Sequence, residues 1–139
     1  MDFMRLSTKD FAELKRLHIA YKAEIGENPP TNENWDGLFQ AILDEKILFF
    51  GCRAEGALVA CCSISPVFST FDYRRGGALE DFYILPEYRH QGIARRLIAF
   101  AHENSGVSSL TVGCADCDAA MYRALGFTVP LGNLLAYSR

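Results

Sequence analysis

Residues 78–97 read ALEDFYILPEYRHQGIARRL. The apolar start is typical of a strand that ends at Pro86, and the amphipathic segment from Gly92 predicts a helix over 92–104. A second apolar stretch at 108–114 predicts another strand. A strand, a helix and a second strand form a crossover whose two strands run parallel. This β-α-β unit decides the fold, and the rest of the chain is interpreted around it.

The segments on either side of the crossover predict a sheet flanked by helices. Before it, the residue pattern predicts two amphipathic helices over 8–25 and 33–45, a β-hairpin over 47–68 that turns at Glu55-Gly56, and a loop over 68–77. After it, the pattern predicts a short helix over 118–125 and one or two closing strands over 127–137. The fold class is therefore α+β, or mixed α/β, with a central sheet.

Length and charge limit the classes of function. The 139 residues suit one domain over 1–139, and the net charge of -3 argues against nucleic-acid binding. The chain contains no run of about 20 apolar residues, so we expect no membrane span. The N-terminal sequence is unlike a signal peptide, and we expect a cytoplasmic protein.

The five cysteines indicate a reduced protein. Their number is odd, and the adjacent Cys61 and Cys62 lie in an apolar run typical of a core. Cys114 and Cys117 have C-x-x-C spacing, but neither a second pair nor a nearby histidine completes a zinc site, so we predict no metal. A redox role for this pair stays an open alternative.

The turn between strand and helix has the features of an anion site. The first N–H groups of a helix lack intrahelical partners, and Gly92 adds no Cβ that would block a ligand. Arg89, Arg95 and Arg96 add positive charge. The residues alone leave two interpretations open, an anion-binding cradle or an ordinary helix entry with surface arginines.

The pattern Arg89-x-x-Gly92-x-Ala94, after the lead Pro86-Glu87-Tyr88, resembles the acetyl-CoA pyrophosphate loop of the GNAT superfamily of N-acetyltransferases. The later stretch MYRALGF at 121–127 is similar to another segment of that superfamily, and the resemblance covers nearly the whole chain. It implies a GNAT-like mixed sheet and acetyl-CoA as co-substrate. Residues 115–118 depart from the pattern, because many members have an asparagine there.

The resemblance also implies which residues hold acetyl-CoA. Strand residues 82–84 would pair with the pantetheine arm, and the backbone amides of 90–95 would bind the pyrophosphate. The implied cofactor-binding residues are Phe82, Tyr83, Ile84, Arg89, His90, Gln91, Gly92, Ile93, Ala94 and Arg95.

A narrower resemblance points to the diamine (polyamine) and thialysine acetyltransferases. It rests on Phe68-Ser69-Thr70-Phe71 and on the L-E-D motif at 79–81. It implies that Glu80 is the general base, while Asp81 should face the other side of the sheet. The alternative for Glu80 is an edge carboxylate in a salt bridge.

Tyr122 is the predicted general acid, whose hydroxyl would donate a proton or a hydrogen bond to the departing thiolate, because it stays protonated while a thiol titrates. The alternative is a packed aromatic residue. For the acceptor, we expect Glu27, Glu33, Tyr73 and Asp81 to contribute. His18 is predicted to be a packed or surface histidine.

The sequence therefore predicts an acetyl-CoA-dependent N-acetyltransferase that acts on a primary amine of a small cationic molecule. An acyl-CoA-binding sensor without turnover is the main alternative, and a nucleic-acid binder using Arg95 and Arg96 is a third. A homodimer is the expected assembly.

Overall fold

The computed structural model describes residues 1–70 and 72–138. Its strands and helices follow in the order β1 (Asp2–Leu6), α1 (Phe11–Glu24), α2 (Asn32–Leu43), β2 (Leu48–Ala54), β3 (Ala57–Ser69), β4 (Arg74–Ile84), α3 (Ile93–Asn104), β5 (Leu110–Val112) and α4 (Ala119–Ala124). Short 3-10 turns lie at Thr8–Asp10, Pro86–Tyr88 and Asp116–Asp118. Phe71, the last residue of the Phe68-Ser69-Thr70-Phe71 stretch, lies outside the described residues.

The strands form one sheet in the order β1-β2-β3-β4-β5. The first three pairings are antiparallel, and β4 and β5 run parallel, which confirms the predicted β-α-β crossover through α3. The β2–β3 hairpin turns at Glu55 (φ 52°) and Gly56 (φ 81°), as a two-residue hairpin loop requires. The mixed sheet with flanking helices is the predicted fold class.

Each face of the sheet has its own apolar core. The α3 face is packed by Ile93, Leu97, Ile98 and Ala101, which meet buried side chains of β2, β3 and β4. On the opposite face, Leu14 and Leu17 of α1 and Ile42 of α2 cover Phe49, Leu58 and Cys61. These apolar positions recur at helical spacing, so the same pattern that forms the helices also fixes which face each one buries.

Two local predictions were wrong, and one strand was not predicted. β1 was not predicted, because a five-residue edge strand shows little periodicity before it pairs with β2. Most of the predicted loop over 68–77 is strand, since β3 and β4 continue to pair as far as Ser69 and Arg74. The described part of the predicted closing strands, 127–137, contains no strand. Pro130 and Gly132 interrupt that segment, and beyond Phe127 its large apolar side chains stay exposed.

No helix within 1–70 and 72–138 is both long and apolar enough to cross a membrane.

Candidate functional site

The sheet opens where β4 and β5 separate. The two strands pair only between residues 77–79 and 110–112. β4 then continues to Ile84, while the chain after Val112 leads into the 3-10 turn Asp116–Asp118. Within the described ranges, the β5-facing edge of residues 80–84 has no strand partner. Such an edge presents backbone N–H and C=O groups with which an extended ligand can pair.

A β-bulge lies beside this opening and changes where the acidic side chains point. The β3–β4 register shifts between Cys61 and Ser63, and Asp81 has a left-handed backbone, with φ 51°. Ser63 Oγ, fully buried, donates a 2.7 Å hydrogen bond to Asp81 Oδ2. The predicted placement of Asp81 on the other side of the sheet from Glu80 was wrong, because the bulge interrupts the alternation.

Glu80 and Asp81 therefore both lie towards α1. Leu79 packs on the α3 face, so alternation places Glu80 on the α1 face. Burial raises the pKa of Tyr21 on α1, and the negative charges of Asp81 and Glu80 raise it further. Tyr83 belongs to the core on the α1 face, so alternation from Tyr83 places Asp81 on that face as well.

The start of α3 forms an uncapped backbone cradle. Gly92 precedes the helix with φ 81°, and no side chain caps the first turn. The N–H groups of Ile93, Ala94 and Arg95 have no acceptor within the helix. His90 is also left-handed, with φ 63°, and a Cβ placed on Gly92 would meet no atom within 4 Å. An open space above free amides fits a phosphate group.

The two predicted arginine ligands are tied to the protein. Arg89 Nε donates to the Ile84 carbonyl at 2.8 Å, and its Nη2 contacts both carboxylate oxygens of Glu24 at 2.9 and 3.0 Å. Arg95 Nη2 donates to the Ala124 carbonyl at 2.5 Å. These contacts anchor the loop to α1 and α3 to α4, so the amides, rather than free guanidinium groups, define the cradle. Contacts of these arginines with a phosphate stay a prediction.

Tyr122 lies beside the opening on the α3 side of β4. Its ring contacts Phe82 at 6.3 Å and Phe127 at 5.9 Å between centroids. Burial raises the pKa of its hydroxyl to about 12, and the charges of Tyr21 and Asp118 add to the shift. Tyr122 thus keeps its proton at neutral pH and can donate a hydrogen bond.

The α1 side of the opening is aromatic. The rings of Tyr21 and Tyr83 are tilted against each other, with 5.9 Å between their centroids. The His18 ring lies 5.7 Å from the Trp35 ring and 6.0 Å from the Tyr21 ring. His18 and Tyr21 were not identified as site residues from the sequence. They lie three residues apart on the face of α1 that also carries Leu14 and Leu17. This spacing indicates from the sequence alone that the two side chains share one face of the helix.

The predicted acceptor residues do not all meet. Glu27 pairs with Lys22 Nζ at 2.8 Å, and its charge acts on both His18 and Tyr21. Glu33 is exposed in the first turn of α2. Tyr73 is 73% exposed and precedes the start of β4, at the opposite end of that strand from Tyr83. Glu80 and Asp81 thus share the α1 face of β4, Glu27 follows α1, and Tyr73 lies apart at the other end of β4.

Comparison with known families identifies the arrangement. Residues 45–129, more than half of the chain, match the sequence model of the acetyltransferase (GNAT) domain. The chain belongs to the GNAT acetyltransferase family. It is therefore an acetyltransferase, and acetyl-CoA is the acetyl donor that enzymes of this family use. No curated protein matches the chain in sequence.

Solved GNAT-like structures share the fold. An aminoglycoside acetyltransferase from an uncultured soil metagenomic sample, in complex with sisomicin, superposes with TM-score 0.84 at 14% identity over 99% of this chain and 95% of its own. Glucosamine-6-phosphate N-acetyltransferase from Arabidopsis thaliana gives 0.75 at 15% identity, covering 98% and 97%. A predicted acetyltransferase with acetyl-CoA from Clostridium acetobutylicum gives 0.75 at 17%, covering 98% and 95%.

The cradle and the open strand edge fit the acetyl donor of the family. The uncapped amides of α3 suit its pyrophosphate, and the unpaired edge at 80–84 suits its amide-containing arm. Among residues 1–70 and 72–138, no three acidic, histidine or cysteine side chains gather into a group that could hold a metal ion.

Proposed function

We propose that this GNAT enzyme transfers the acetyl group of acetyl-CoA to the primary amine of a small cationic molecule. The observation that carries the proposal is the bulge at Asp81. It places two carboxylates, Glu80 and Asp81, on the α1 side of the opening, while the amide cradle lies at the end of the same strand. A site with negative charge on the acceptor side favours an amine over an anionic acceptor.

The backbone would hold the donor. We assign the pyrophosphate to the amides of 90–95 and the pantetheine arm to Phe82, Tyr83 and Ile84, while Arg89 and Arg95 keep the loop and helix in place. Bound acetyl-CoA supplies a thioester carbonyl and a thiol leaving group. The general base, the hydrogen bond to the leaving sulfur and the orientation of the amine are assigned to side chains of the protein.

Glu80 is our candidate for the general base. An alkylamine has a pKa of about 10 and is mostly protonated at neutral pH, so it must lose a proton before it attacks. The Glu80 side chain is exposed and makes no hydrogen bond to a described residue, so its carboxylate is available to take that proton, directly or through water. Asp81, held by Ser63, would orient the amine.

Tyr122 would stabilise the departing sulfur. With a pKa of about 12, its hydroxyl is a weaker acid than a thiol, whose pKa is about 8.5. Complete proton transfer from Tyr122 to the thiolate is therefore uphill. We infer that Tyr122 acts by donating a hydrogen bond to the sulfur rather than by giving up its proton.

The acceptor class rests on charge. Glu27 adds a third carboxylate near α1, but Lys22 balances its charge, and exposed Glu33 and distant Tyr73 have weaker support as acceptor residues. We propose a polyamine-like or other cationic amine, in keeping with the resemblance to the diamine and thialysine branch. The relatives named for aminoglycosides and glucosamine 6-phosphate widen the set of amines to be tested.

We further propose that residues 1–139 work as one domain and that the enzyme is a cytoplasmic homodimer without a metal or a nucleic-acid partner. All five cysteines are unpaired, which suits a reducing compartment. In 128–138, Leu131, Leu134, Leu135 and Tyr137 are 75–93% exposed, and they would be covered by a second copy. Light scattering measures the assembly, and a monomer at working concentration would contradict the dimer.

Thiol release from acetyl-CoA tests the activity. A panel containing spermidine, thialysine, sisomicin, glucosamine 6-phosphate and a peptide N-terminus should give release with the cationic amines and little with the phosphorylated one. If the protein binds CoA in calorimetry yet releases no thiol with any amine, the sensor alternative replaces the proposed function.

A further inference from the structure

His18 combines deep burial with unused hydrogen-bonding capacity. The residue is 8% exposed, and its Nδ1 atom is fully buried without a hydrogen-bond partner. The other ring nitrogen, Nε2, also makes no hydrogen bond to a described residue, and it is not enclosed as Nδ1 is. Buried polar groups in native proteins are nearly always paired, so this ring calls for an explanation.

The enclosure around His18 fixes its protonation state. The rings of Tyr21 and Trp35 pack against it, and burial lowers the pKa of the imidazole more than the neighbouring charges change it. Protonation would also place an unpaired N–H at the buried Nδ1 position. The neutral tautomer with hydrogen on Nε2 leaves only a lone pair at Nδ1, and it presents one donor on the side that is not enclosed.

The charged groups near His18 come from three segments. Asp81 on β4 exerts the strongest effect of any charge, Lys22 lies on α1, and Glu27 follows α1. Lys22 is held by Glu27 at 2.8 Å, and one oxygen of Asp81 is held by Ser63. His18 and Tyr21 therefore contribute neutral polar groups to the α1 side of the opening, where Asp81 and Glu80 already provide negative charge for a cation.

We propose that His18 is a specificity-determining residue that donates a hydrogen bond from Nε2 to an oxygen of the acceptor. The acceptor is then an amino alcohol: a cationic amine that carries a hydroxyl or ether oxygen close to the amino group, as amino sugars do. A plain polyamine has no atom that can accept this bond while its nitrogens are protonated. This inference rests on the proposed function, since it selects among the amines that the same site would acetylate.

A matched pair of amines tests the inference. Diaminopropane and diaminopropanol differ by one hydroxyl on the central carbon. We expect kcat/KM for thiol release to favour diaminopropanol by about tenfold or more, because a site that hydrogen-bonds a substrate hydroxyl rejects the analogue lacking it. His18→Leu should reduce this ratio to near one, and His18→Gln, which keeps an N–H donor, should retain part of it.

The controls separate specificity from folding. His102 is exposed on α3, so His102→Leu should leave the ratio unchanged. A folded His18→Leu enzyme with the parental ratio would overturn the inference, as would a parent enzyme that acetylates both amines equally. If His18→Leu does not fold, the His18→Gln ratio and the next measurement decide.

Binding without acetyl-CoA separates this inference from the proposed function. In NMR spectra of the free protein, diaminopropanol should shift the His18 ring signals, and diaminopropane should shift them much less. Equal or absent shifts would contradict the role of His18. Selective shifts combined with no thiol release would instead contradict the transferase activity and leave the His18 contact standing.

Discussion

The two sides of the opening in the sheet recognise their ligands by different means. On the donor side, the unpaired edge of β4 and the uncapped start of α3 offer backbone groups, and the nearby arginines are occupied with Glu24 and Ala124. On the acceptor side, the recognition groups are side chains that reach the site from α1 and from the bulge at Asp81. A backbone cradle suits a donor shared by a whole family, whereas side chains allow the acceptor to vary.

The largest effect should come from placing a carboxylate in the cradle. In Gly92→Asp, the side chain can cap the amides of α3 itself and repel a phosphate, so we expect KM for acetyl-CoA to rise about 100-fold with KM for the amine nearly unchanged. Steady-state kinetics with each substrate varied separately measures this difference.

Gly56→Asp is the matched control, because Gly56 has the same φ of 81° and equally open space in the β2–β3 turn. Both variants should lose about 1 kcal/mol of stability from the left-handed backbone. Comparable acetyl-CoA KM values in the two variants would show that the amides of α3 do not bind the donor.

Tyr122 lies between the two sides, and its loss should affect the chemical step alone. We expect Tyr122→Phe to lower kcat about 100-fold, because a hydrogen bond to the leaving sulfur is removed while the ring contacts with Phe82 and Phe127 remain. Both KM values and the melting temperature should change little. Tyr137→Phe, at an 88% exposed position, provides the control for a lost hydroxyl.

The raised pKa of Tyr122 adds a pH criterion to this prediction. Since the hydroxyl deprotonates only around pH 12, the alkaline limb of the kcat profile between pH 8 and pH 10 should not be due to Tyr122. A limb in that range that disappears in Tyr122→Phe would instead mean that Tyr122 titrates during turnover.

Ser63→Ala tests the acceptor side in isolation. It removes the 2.7 Å hydrogen bond to Asp81 from a fully buried position and frees the carboxylate to move. We expect KM for the amine to rise about five- to tenfold, in line with a hydrogen bond to a charged group, without a change in KM for acetyl-CoA. Ser65→Ala, on the same strand, is the control. A parallel rise in both KM values would show that the two sides are not independent.

The same contrast explains what could be predicted from the sequence. The donor side depends on neighbours in the chain: a strand that stops at Pro86, a glycine and an amphipathic helix, all visible in one short stretch. The acceptor side depends on the bulge, which turns Asp81 to the face of Glu80, and strict alternation cannot reveal it. His18 lies far from Asp81 in sequence, so only the packing of α1 on the sheet brings the two into one site.

The errors at the chain ends have a related cause. The segment over 127–137 has the apolar content of strands, but a strand needs a partner, and this segment pairs with no strand in the described part of the chain. β1 shows the reverse case, because pairing with β2 makes a strand of five residues whose own pattern is weak. The local residue pattern therefore predicts a strand or helix well only where the same pattern also determines which strand or helix it pairs or packs with.

The smallest effect concerns the pH dependence of stability at His18. Burial lowers the pKa of its imidazole in the folded state below the ordinary value of 6.5, although Asp81 and Glu27 oppose the shift and Lys22 adds to it. Below pH 6.5 the unfolded chain therefore binds a proton more readily than the folded one, and the free energy of unfolding should fall as the pH decreases from 6.5. Above that pH, this contribution is fully present.

Urea unfolding at pH 8 and at pH 5.5 measures this contribution. The parent should lose more stability between the two values than His18→Gln, which cannot titrate, while His102→Gln should behave like the parent because that histidine is exposed. If His18→Gln loses as much stability as the parent, the imidazole is not held neutral by its enclosure. Below pH 6.5 the folded protein would then carry a protonated imidazole on the acceptor side, and the neutral tautomer assigned to His18 would have to be abandoned.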